Sequence, residues 1–475
     1  MPDEAAKQNP LERKLSSASR RRLENLAREL FPDGVDAYAG SEEQSVQRTK
    51  DLLENGIRTV FSAQFLSNEF HAKVDVVRLL LDGSLELFLI KGAKTLKPEY
   101  ADEAAYRCIV VEDCGFTVSA VTVIHLGSDE PWNGEPINAE TFFLRTDITA
   151  KAIGRASELR QRVVALSTLK TITLYPQPAG IWPHVDPAHH KECPNCDYVG
   201  HCQTRWPEDM LQTSFLSGRA TKSLNELGIT RLSQIQAPTG LDGRDASLYE
   251  SYLLGDPIRC KSLDDALAKI QYPAFMIDFE AINPAIPLIP GTKSYQTSPF
   301  QWSCHRLEGP PVAGSPQTPE EGHFQFLWQE SSDPRPAFVA TLLDLLGSRG
   351  SFVHWHSYEI TQLNGLVAAG IPHAQELLDR VLLSNIDLGR LLTKHYFDAR
   401  MTSTSIKSVL KAISDDVRYS DLAIGNGSLA MNIYERIYRG EVTGEERERD
   451  IAYLLEYCKL DTWAMVLTLR AMLPR

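Results

Sequence analysis

The sequence predicts an α/β protein in three segments, residues 1–175, 176–265 and 266–475. The first segment alternates helical and strand-like patterns, and the second carries a cysteine cluster in loop-like sequence. The third contains a short apolar strand that ends in carboxylates and is followed by further strands and helices. A chain of 475 residues also exceeds one ordinary domain. We therefore expect two or three domains.

Composition restricts the class of protein. Apolar residues make up 43% and charged residues 23% of the chain, as in soluble globular proteins. No stretch approaches the roughly 18 apolar residues of a membrane span. The polar start has no signal-peptide core, and most of the eight cysteines are scattered. These features predict a cytoplasmic protein with no membrane partner.

The net charge of −13 gives the chain no overall attraction to nucleic acid. This disfavours a protein that coats a duplex. It leaves open an enzyme that has a local basic groove and an acidic metal site.

The first segment has the order helix, strands, helix, strand. Helical spacing covers residues 11–31 and 41–56, and a further helix is expected near 99–113. The strand-like runs are Thr59–Phe65, Ala72–Leu80, Leu85–Lys91 and Thr117–His125.

This order and its polar residues resemble the PD-(D/E)xK core of RecB-like nucleases. Asp75 and Lys91 fit that pattern, whereas Leu89 stands at the acidic position of the Glu-x-Lys pair, and Ser62 and Arg107 replace a Glu and a Gln. Leucine cannot bind a metal ion, and losing one metal carboxylate removes most hydrolytic activity. The resemblance implies a degenerate nuclease fold that serves as a binding or scaffold domain.

The second segment contains three cysteines within ten residues, Cys193, Cys196 and Cys202. This spacing suits Zn²⁺ or an iron–sulfur cluster, although free thiols are the alternative. A similar run binds a [4Fe–4S] cluster in RecB-type nucleases. Other side chains could complete either site: His189, His190 or His201 for zinc, and Cys108 or Cys114 for a cluster.

Two short amphipathic helices are predicted around Gly228 and Ile229. They are typical of a helix–hairpin–helix, whose glycine turn often faces a phosphate backbone. A plain helical linker is the alternative.

The third segment begins with Tyr272-Pro-Ala-Phe-Met-Ile-Asp-Phe-Glu280, which reads as a buried strand. Residues i and i+2 of a strand share a face, so Asp278 and Glu280 project together. Two such carboxylates repel each other and are best tolerated around a divalent cation. An ordinary strand end at a solvated turn is the alternative.

Further candidate residues follow in two places. Glu359 comes directly after the strand predicted at Ser351–His356, where a lone acid is usually an N-terminal helix charge. Tyr457 and Asp461 are four residues apart on a helix predicted at Glu448–Leu473, and therefore share a face.

This order of acids resembles the DEDD 3′–5′ exonucleases of RNase H-like fold, in the version that uses tyrosine. The resemblance implies Asp278, Glu280, Glu359 and Asp461 as metal carboxylates, and Tyr457 as the group that orients or deprotonates the attacking water. Glu359 stands where Asp is usual.

Four runs in residues 266–475 form a further pattern: Pro299-Phe-Gln-Trp-Ser-Cys-His305, Asp333-Pro-Arg335, Tyr358-Glu359 and Glu456-Tyr-Cys-Lys-Leu-Asp-Thr462. With these runs the segment resembles the C-terminal domain of an uncharacterised bacterial family, a domain of unknown function, that joins a RecB-like domain to a DEDD-type domain. Lys407 lies in a Ser-Ile-Lys helix start that resembles the Ser-Leu-Lys start found between the second and third motifs of the DEDD exonucleases, and Asp387 is a further acid near that path. Gln296 and Gln301 could position substrate or be structural.

The clustered acids predict a metal site, and the resemblance to DEDD exonucleases implies a metal-dependent nuclease, a 3′–5′ exonuclease that hydrolyses single-stranded nucleic acid with two Mg²⁺ or Mn²⁺ ions. Oxygen ligands favour these hard ions. The alternative is a catalytically inactive nucleic-acid-binding protein built from two decayed nuclease folds. A weaker option places residual endonuclease activity at Asp75 and Lys91. Protein partners in DNA or RNA metabolism are also expected.

Overall fold

The computed structural model of the protein describes residues 10–67, 70–127, 129–169, 209–211, 215–236, 241–311, 318–414 and 416–474. The described residues fall into two compact units. The first contains the described residues within 16–184 and 284–296, and the second contains those within 1–15, 185–283 and 297–475. None of the helices in these ranges combines the length and the apolar character that crossing a membrane requires.

The first unit is built on a six-stranded mixed sheet in the order β1-β2-β3-β4-β5-β6. The strands are β1 Val35–Asp36, β2 Thr59–Ser67, β3 Phe70–Leu79, β4 Leu85–Lys91, β5 Val118–Leu126 and β6 Phe143–Asp147. The helices are α1 Pro10–Arg28, which lies largely in this unit, α2 Glu42–Glu54, α3 Glu99–Asp113, α4 Ala139–Phe142 and α5 Thr149–Leu169. The pair β4 and β5 is parallel, and α3 forms the connection between them.

The residues of β4 alternate between the two faces of this sheet. Leu85, Leu87 and Leu89 are buried with residues of α3, whereas Phe88 and Ile90 are buried with residues of α1. The apolar run that predicted this strand therefore serves two cores, one on each side.

The second unit contains a five-stranded sheet in the order β10-β9-β8-β11-β12. Its strands are β8 Ala274–Ile282, β9 Ser298–Leu307, β10 His323–Leu327, β11 Ser351–His354 and β12 Asn385–Asp387. The first three are antiparallel neighbours, and β11 and β12 run parallel to β8. A two-stranded ribbon pairs β7 Ile258–Arg259 with β13 Tyr396–Phe397.

Helices accompany this sheet on both faces. They are α8 Leu263–Leu267, α9 Arg335–Leu346, α10 Tyr358–Ala368, α11 Ala374–Leu383, α12 Leu388–His395, α13 Ile406–Ile413, α14 Gly427–Tyr438 and α15 Gly444–Met472. In β8, Phe275 and Ile277 are buried with α9, α10 and α11, whereas Met276 is buried with α12, α13 and α15. This alternation directs the even-numbered side chains of β8 towards α15.

The predicted α/β class is confirmed, and the predicted strands of both units are present with small shifts at their ends. The hairpin region differs. It contains α6 Gly218–Glu226, a 3₁₀ turn at Leu232–Gln234 and α7 Gly243–Leu254, so the second predicted helix next to Gly228 is a single 3₁₀ turn. The Gln234 side chain accepts hydrogen bonds from the backbone amides of Thr230 and Arg231, which favours the tight turn.

Candidate metal centre

Two carboxylates leave β8 on the same face. Asp278 and Glu280 follow Met276 in the strand alternation and point towards α15. Glu280 is 8% exposed, and Asp278 is partly buried. The strand also places Glu280 opposite Gln301 of β9. The Asp-x-Glu pattern therefore produces the paired orientation that the sequence predicted.

The third carboxylate comes from α15. Asp461 is 7% exposed, and one ligand oxygen from each of Asp278, Glu280 and Asp461 lies within 4.8 Å of the other two. Within the described part of the chain, this is the one group of three or more acidic, histidine or cysteine side chains close enough to hold a metal ion. We call Asp278, Glu280 and Asp461 the carboxylate triad.

Glu359, the fourth predicted acid, lies in the first turn of α10 and is not part of the carboxylate triad. It is 1% exposed, and its Oε2 atom lies 3.7 Å from Nδ1 of His354. The pKa of the Glu359 carboxyl is raised by burial first, and then by the charge of Asp278. Glu359 therefore lies within the electrostatic reach of the triad.

Burial and mutual repulsion make the triad hard to ionise. Burial and then the charge of Asp461 raise the pKa of Asp278, and burial and then Asp278 raise the pKa of Glu280. Burial raises the pKa of Asp461 to about 6, against the opposing effects of Tyr419 and Lys407. A divalent cation would remove this repulsion by compensating the clustered charge.

Two tyrosines lie beside Asp461. Tyr457, predicted from its spacing on α15, is 4% exposed, and its ring meets that of Tyr419 edge to face, with 6.4 Å between the ring centroids. The hydroxyl of Tyr419 donates a 2.5 Å hydrogen bond to Oδ1 of Asp461. Burial, followed by the charge of Asp461, raises the pKa of both phenols, so both are protonated near neutral pH.

Lys407 supplies the local positive charge. Its Nζ atom lies 5.1 Å from the ring centroids of both Tyr419 and Tyr457, and it donates a 2.6 Å hydrogen bond to the carbonyl of Gly425. The lysine lowers the pKa of each carboxyl group of the triad, which shows that its charge acts on the whole cluster.

The sequence reasoning missed Cys458 and Tyr419. The Cys458 thiol lies 3.4 Å from Oδ2 of Asp278 and is fully buried. Burial and then the charge of Asp278 raise the pKa of this thiol, so it stays protonated and can donate a weak hydrogen bond. Its position next to Tyr457 in the helix could have suggested it. Tyr419 lies in a 3₁₀ turn, where no periodic signal marks it.

The other polar candidates of this unit and its neighbour have structural roles. Asp387 accepts a hydrogen bond from the amide of Arg390 and caps α12. Gln301 donates to the carbonyl of Leu454, and Gln296 accepts from the amide of Lys293. These contacts agree with a structural role for the two glutamines, which was the alternative to positioning substrate.

Asp75, Lys91 and Arg107, three candidate residues of the first unit, each have another contact in the structure. Asp75 is 5% exposed and accepts a 2.8 Å hydrogen bond from the amide of Ile90. Lys91 and Arg107 both pair with Glu103, at 2.5 and 2.8 Å.

Leu89 and Ser62 are the remaining predicted positions of the first unit. Leu89 is fully buried in the apolar core. Ser62 accepts a hydrogen bond from Arg28. No metal-binding group is found here among the described residues.

Cys193, Cys196, Cys202, His189, His190 and His201 lie outside the described residues. Of the cysteines considered as an upstream fourth ligand, Cys108 is buried and Cys114 is partly exposed. Burial raises the pKa of Cys108 to about 12. This thiol is therefore poorly suited to act as a thiolate ligand unless its surroundings change.

A segment that lies mostly in the second unit matches a known family. Residues 275–405 match a family described as a domain of unknown function (DUF2779). The matched segment contains Asp278, Glu280 and Glu359 and ends before Tyr457 and Asp461. The match supports the resemblance to an uncharacterised family over this segment. No curated protein matches the chain.

Proposed function

We propose that the protein is a metal-dependent nuclease, a 3′–5′ exonuclease acting on single-stranded nucleic acid. The observation that carries the proposal is the carboxylate triad, in which three acids from β8 and α15 bring ligand oxygens within 4.8 Å of one another. Buried carboxylates this close are costly unless a cation or protons compensate them. The carboxylate oxygens favour Mg²⁺ or Mn²⁺.

The roles of the residues follow from their positions. Asp278, Glu280 and Asp461 would hold one ion, and Glu359 with Asp278 would hold the second. Two such ions, when bound, polarise a phosphodiester and stabilise the attacking and leaving oxygens. Tyr457 would orient or deprotonate the attacking water, and the raised pKa of its buried phenol favours the orienting role.

The polymer substrate and its polarity rest on the resemblance to DEDD exonucleases. The mixed sheet of the second unit, with helices on both faces, supports an RNase H-like interpretation. The net charge of −13 requires local positive charge at the site. Lys407 next to the triad supplies part of it, and bound cations would supply the rest.

The first unit is proposed to be a binding or scaffold domain. Leu89 lies in the apolar core, Lys91 pairs with Glu103, and within the described ranges Asp75 belongs to no group of three side chains close enough to hold a metal ion. The cysteine run at 193–202 remains a proposed zinc or iron–sulfur site. Elemental analysis of the purified protein distinguishes these two occupants from free thiols.

A catalytically inactive nucleic-acid-binding protein is the second candidate. The position of Glu359 outside the triad favours it, because the second ion would have fewer carboxylate ligands. In this case the protein would bind oligonucleotides without cleaving them at any divalent ion concentration.

Digestion of 5′-labelled single-stranded DNA and RNA, with Mg²⁺, Mn²⁺ or a chelator, separates the candidates. We expect metal-dependent shortening from the 3′ end that is lost in Asp278→Ala and Asp461→Ala. Asp344→Asn, which changes an exposed acid on α9, is the matched control. Cleavage that survives both alanine substitutions would reject the site, and an Asp75→Ala variant then tests the first unit.

A further inference from the structure

The N-terminus of α14 lies at the edge of the carboxylate triad. A Cβ atom placed on Gly427, the first residue of this helix, would lie 3.8 Å from Oε2 of Glu280. Gly427 and Ser428 are exposed, whereas Glu280 is buried. The start of α14 is therefore open to solvent directly beside one carboxylate of the triad.

Contacts before and within α14 hold the helix in this place. Lys407, which lies next to the triad, donates a 2.6 Å hydrogen bond to the carbonyl of Gly425, two residues before the helix. Within α14, Sδ of Met431 accepts a 3.4 Å hydrogen bond from the amide of Asn283, the residue that follows β8. The helix start is thus fixed relative to both β8 and Lys407.

Two backbone donors at this helix start have no acceptor among the described residues. Asn426 caps the helix by accepting a 2.9 Å hydrogen bond from the amide of Leu429. The amides of Gly427 and Ser428 precede the first intrahelical donor, so the helix itself offers them no carbonyl. The aligned peptide dipoles place about half a positive charge at this end of the helix. Free amides at a helix N-terminus suit the oxygen atoms of a phosphate.

The carboxylate of Glu280 faces this helix start and does not use its donors. Glu280 is 8% exposed, and within the described ranges its carboxylate has neither a hydrogen bond nor an ion pair. It belongs to the triad, where a bound cation would attract a phosphate oxygen. A buried carboxylate without a partner and two free amides therefore lie side by side at the edge of a candidate metal centre.

We propose that the backbone amides of Gly427 and Ser428 bind a phosphate of the nucleic-acid strand whose scissile linkage lies at the triad. This inference rests on the proposed function, because it identifies the donors that position its substrate. Binding through backbone amides requires no basic side chain, which suits a chain with a net charge of −13. Contacts to phosphates carry no sequence information, so we expect no dependence on the bases.

The experiment removes one amide and keeps the helix. Gly427→Pro deletes the N–H at the first helical position, where proline is favoured. The preceding residue, Asn426, has an extended backbone with φ −160° and ψ 161°, which is compatible with a following proline. Gly427→Ala also adds a Cβ atom but keeps the N–H, and it is the reference. Gly218→Pro, at the first position of α6, is the control for proline at a helix start.

Binding of oligothymidylate and oligouridylate is measured with Ca²⁺, and gel electrophoresis verifies that the strands stay intact. Hydrogen bonds to charged groups typically contribute about 10- to 100-fold in affinity. We expect Gly427→Pro to bind the strands more weakly than Gly427→Ala by a factor in this range, with equal Mn²⁺ affinity. Gly218→Pro should bind like the unsubstituted protein. A neutral methylphosphonate at one linkage near the 3′ end should abolish the difference between the two Gly427 variants.

A second measurement on the unsubstituted protein applies if Gly427→Pro does not fold. Labelling with ¹³C-asparagine and ¹⁵N-glycine selects the amides of Asn-Gly pairs in nuclear magnetic resonance spectra, and Gly427→Ala identifies the signal of Gly427. We expect this signal to shift when the strand is added with Ca²⁺. The methylphosphonate strand should not shift it.

Several results would overturn the inference. Equal strand affinity in Gly427→Pro and Gly427→Ala, an equal loss in Gly218→Pro, or an unshifted Gly427 signal would exclude a phosphate at this helix start. If metal-dependent cleavage is retained in that case, the proposed function survives. Weaker binding of thymidine 5′-monophosphate alone would place the released product, and not the strand, at α14. No strand binding by the unsubstituted protein would reject both the inference and the proposed function.

Discussion

The hydroxyl of Tyr419 donates a 2.5 Å hydrogen bond to Oδ1 of Asp461, so a residue from a 3₁₀ turn holds a carboxylate of the triad. Removal of the hydroxyl in Tyr419→Phe leaves Asp461 with one donor fewer. Hydrogen bonds to metal ligands typically contribute about 10- to 100-fold in metal affinity. We expect a loss in this range for Mn²⁺ bound at the triad, measured by calorimetric titration.

Tyr434→Phe is the control for this effect. Tyr434 stacks on Phe300, and its buried hydroxyl has no hydrogen-bond partner in the part of the chain that the structure describes. We expect unchanged Mn²⁺ affinity and equal or greater stability in this variant. Equal Mn²⁺ affinities in Tyr419→Phe and the unsubstituted protein would show that the Tyr419 hydrogen bond has no influence on the ion.

Tyr457 is expected to affect the reaction and not metal binding. Positioned proton-transfer and water-orienting groups typically contribute about 10²- to 10⁴-fold in rate. Tyr457→Phe should therefore lower kcat within this range and leave Mn²⁺ affinity unchanged, the opposite of the Tyr419→Phe pattern. Single-turnover cleavage and metal titration of both variants provide the comparison. Equal losses of Mn²⁺ affinity in Tyr457→Phe and Tyr419→Phe would contradict separate roles for the two tyrosines.

The stability of the metal-free protein is expected to fall as pH rises. The pKa of Asp461 is 3.8 ordinarily and about 6 in the folded protein, and the pKa values of Asp278 and Glu280 are raised as well. Between these values the folded state holds more protons than the unfolded state, so the free energy of unfolding decreases with increasing pH. The stabilising contribution is present below about pH 4 and is lost as pH rises through about 6.

Thermal unfolding of chelator-treated protein between pH 5 and pH 8 measures this effect. We expect Asp461→Asn to flatten the decline, because the amide does not titrate. Added Mn²⁺ should raise Tm more at pH 8 than at pH 5, where protons compete for the ligands. A Tm of the metal-free protein that rises from pH 5 to pH 8 would argue against a repelling cluster, provided that Asp461→Asn abolishes the rise.

Leu89→Glu restores the acidic residue that the RecB-like pattern expects, but it should not restore a metal site. Leu89 is fully buried among apolar residues, and an uncompensated buried charge typically costs about 3–5 kcal/mol. Denaturant unfolding should show a loss of this size. The matched change Leu81→Glu, at a side chain that is 92% exposed, should stay within about 0.5 kcal/mol. A stable Leu89→Glu protein that gains Mg²⁺ binding would contradict this account of the first unit.

The sequence predicted the parts of the site that depend on regular periodicity. Strand alternation places Asp278 and Glu280 on one face, and the four-residue spacing on α15 places Tyr457 one turn before Asp461. That α15 meets β8 at these residues depends on long-range packing, which no local pattern shows.

Other parts of the site depend on backbone geometry that the sequence does not reveal. The link from His354 to Glu359 crosses a strand–helix junction in which His356 has a φ of 61°. The spacing of the two residues along the chain does not by itself predict that their side chains meet. Tyr419 reaches Asp461 from a 3₁₀ turn, and no periodic sequence pattern predicts this contact. In the first unit, by contrast, Leu89 alone was enough to predict the loss of a metal ligand, because its side chain has no donor atom.

The most direct test of the central claim is a Mn²⁺ titration of the unsubstituted protein, Asp278→Asn and Asp461→Asn, with Asp344→Asn as the exposed control. We expect saturable binding in the unsubstituted protein and in Asp344→Asn, and a loss of binding at the carboxylate triad in the other two. Equal Mn²⁺ binding by all four proteins, or by none of them, would contradict a metal centre built from Asp278, Glu280 and Asp461.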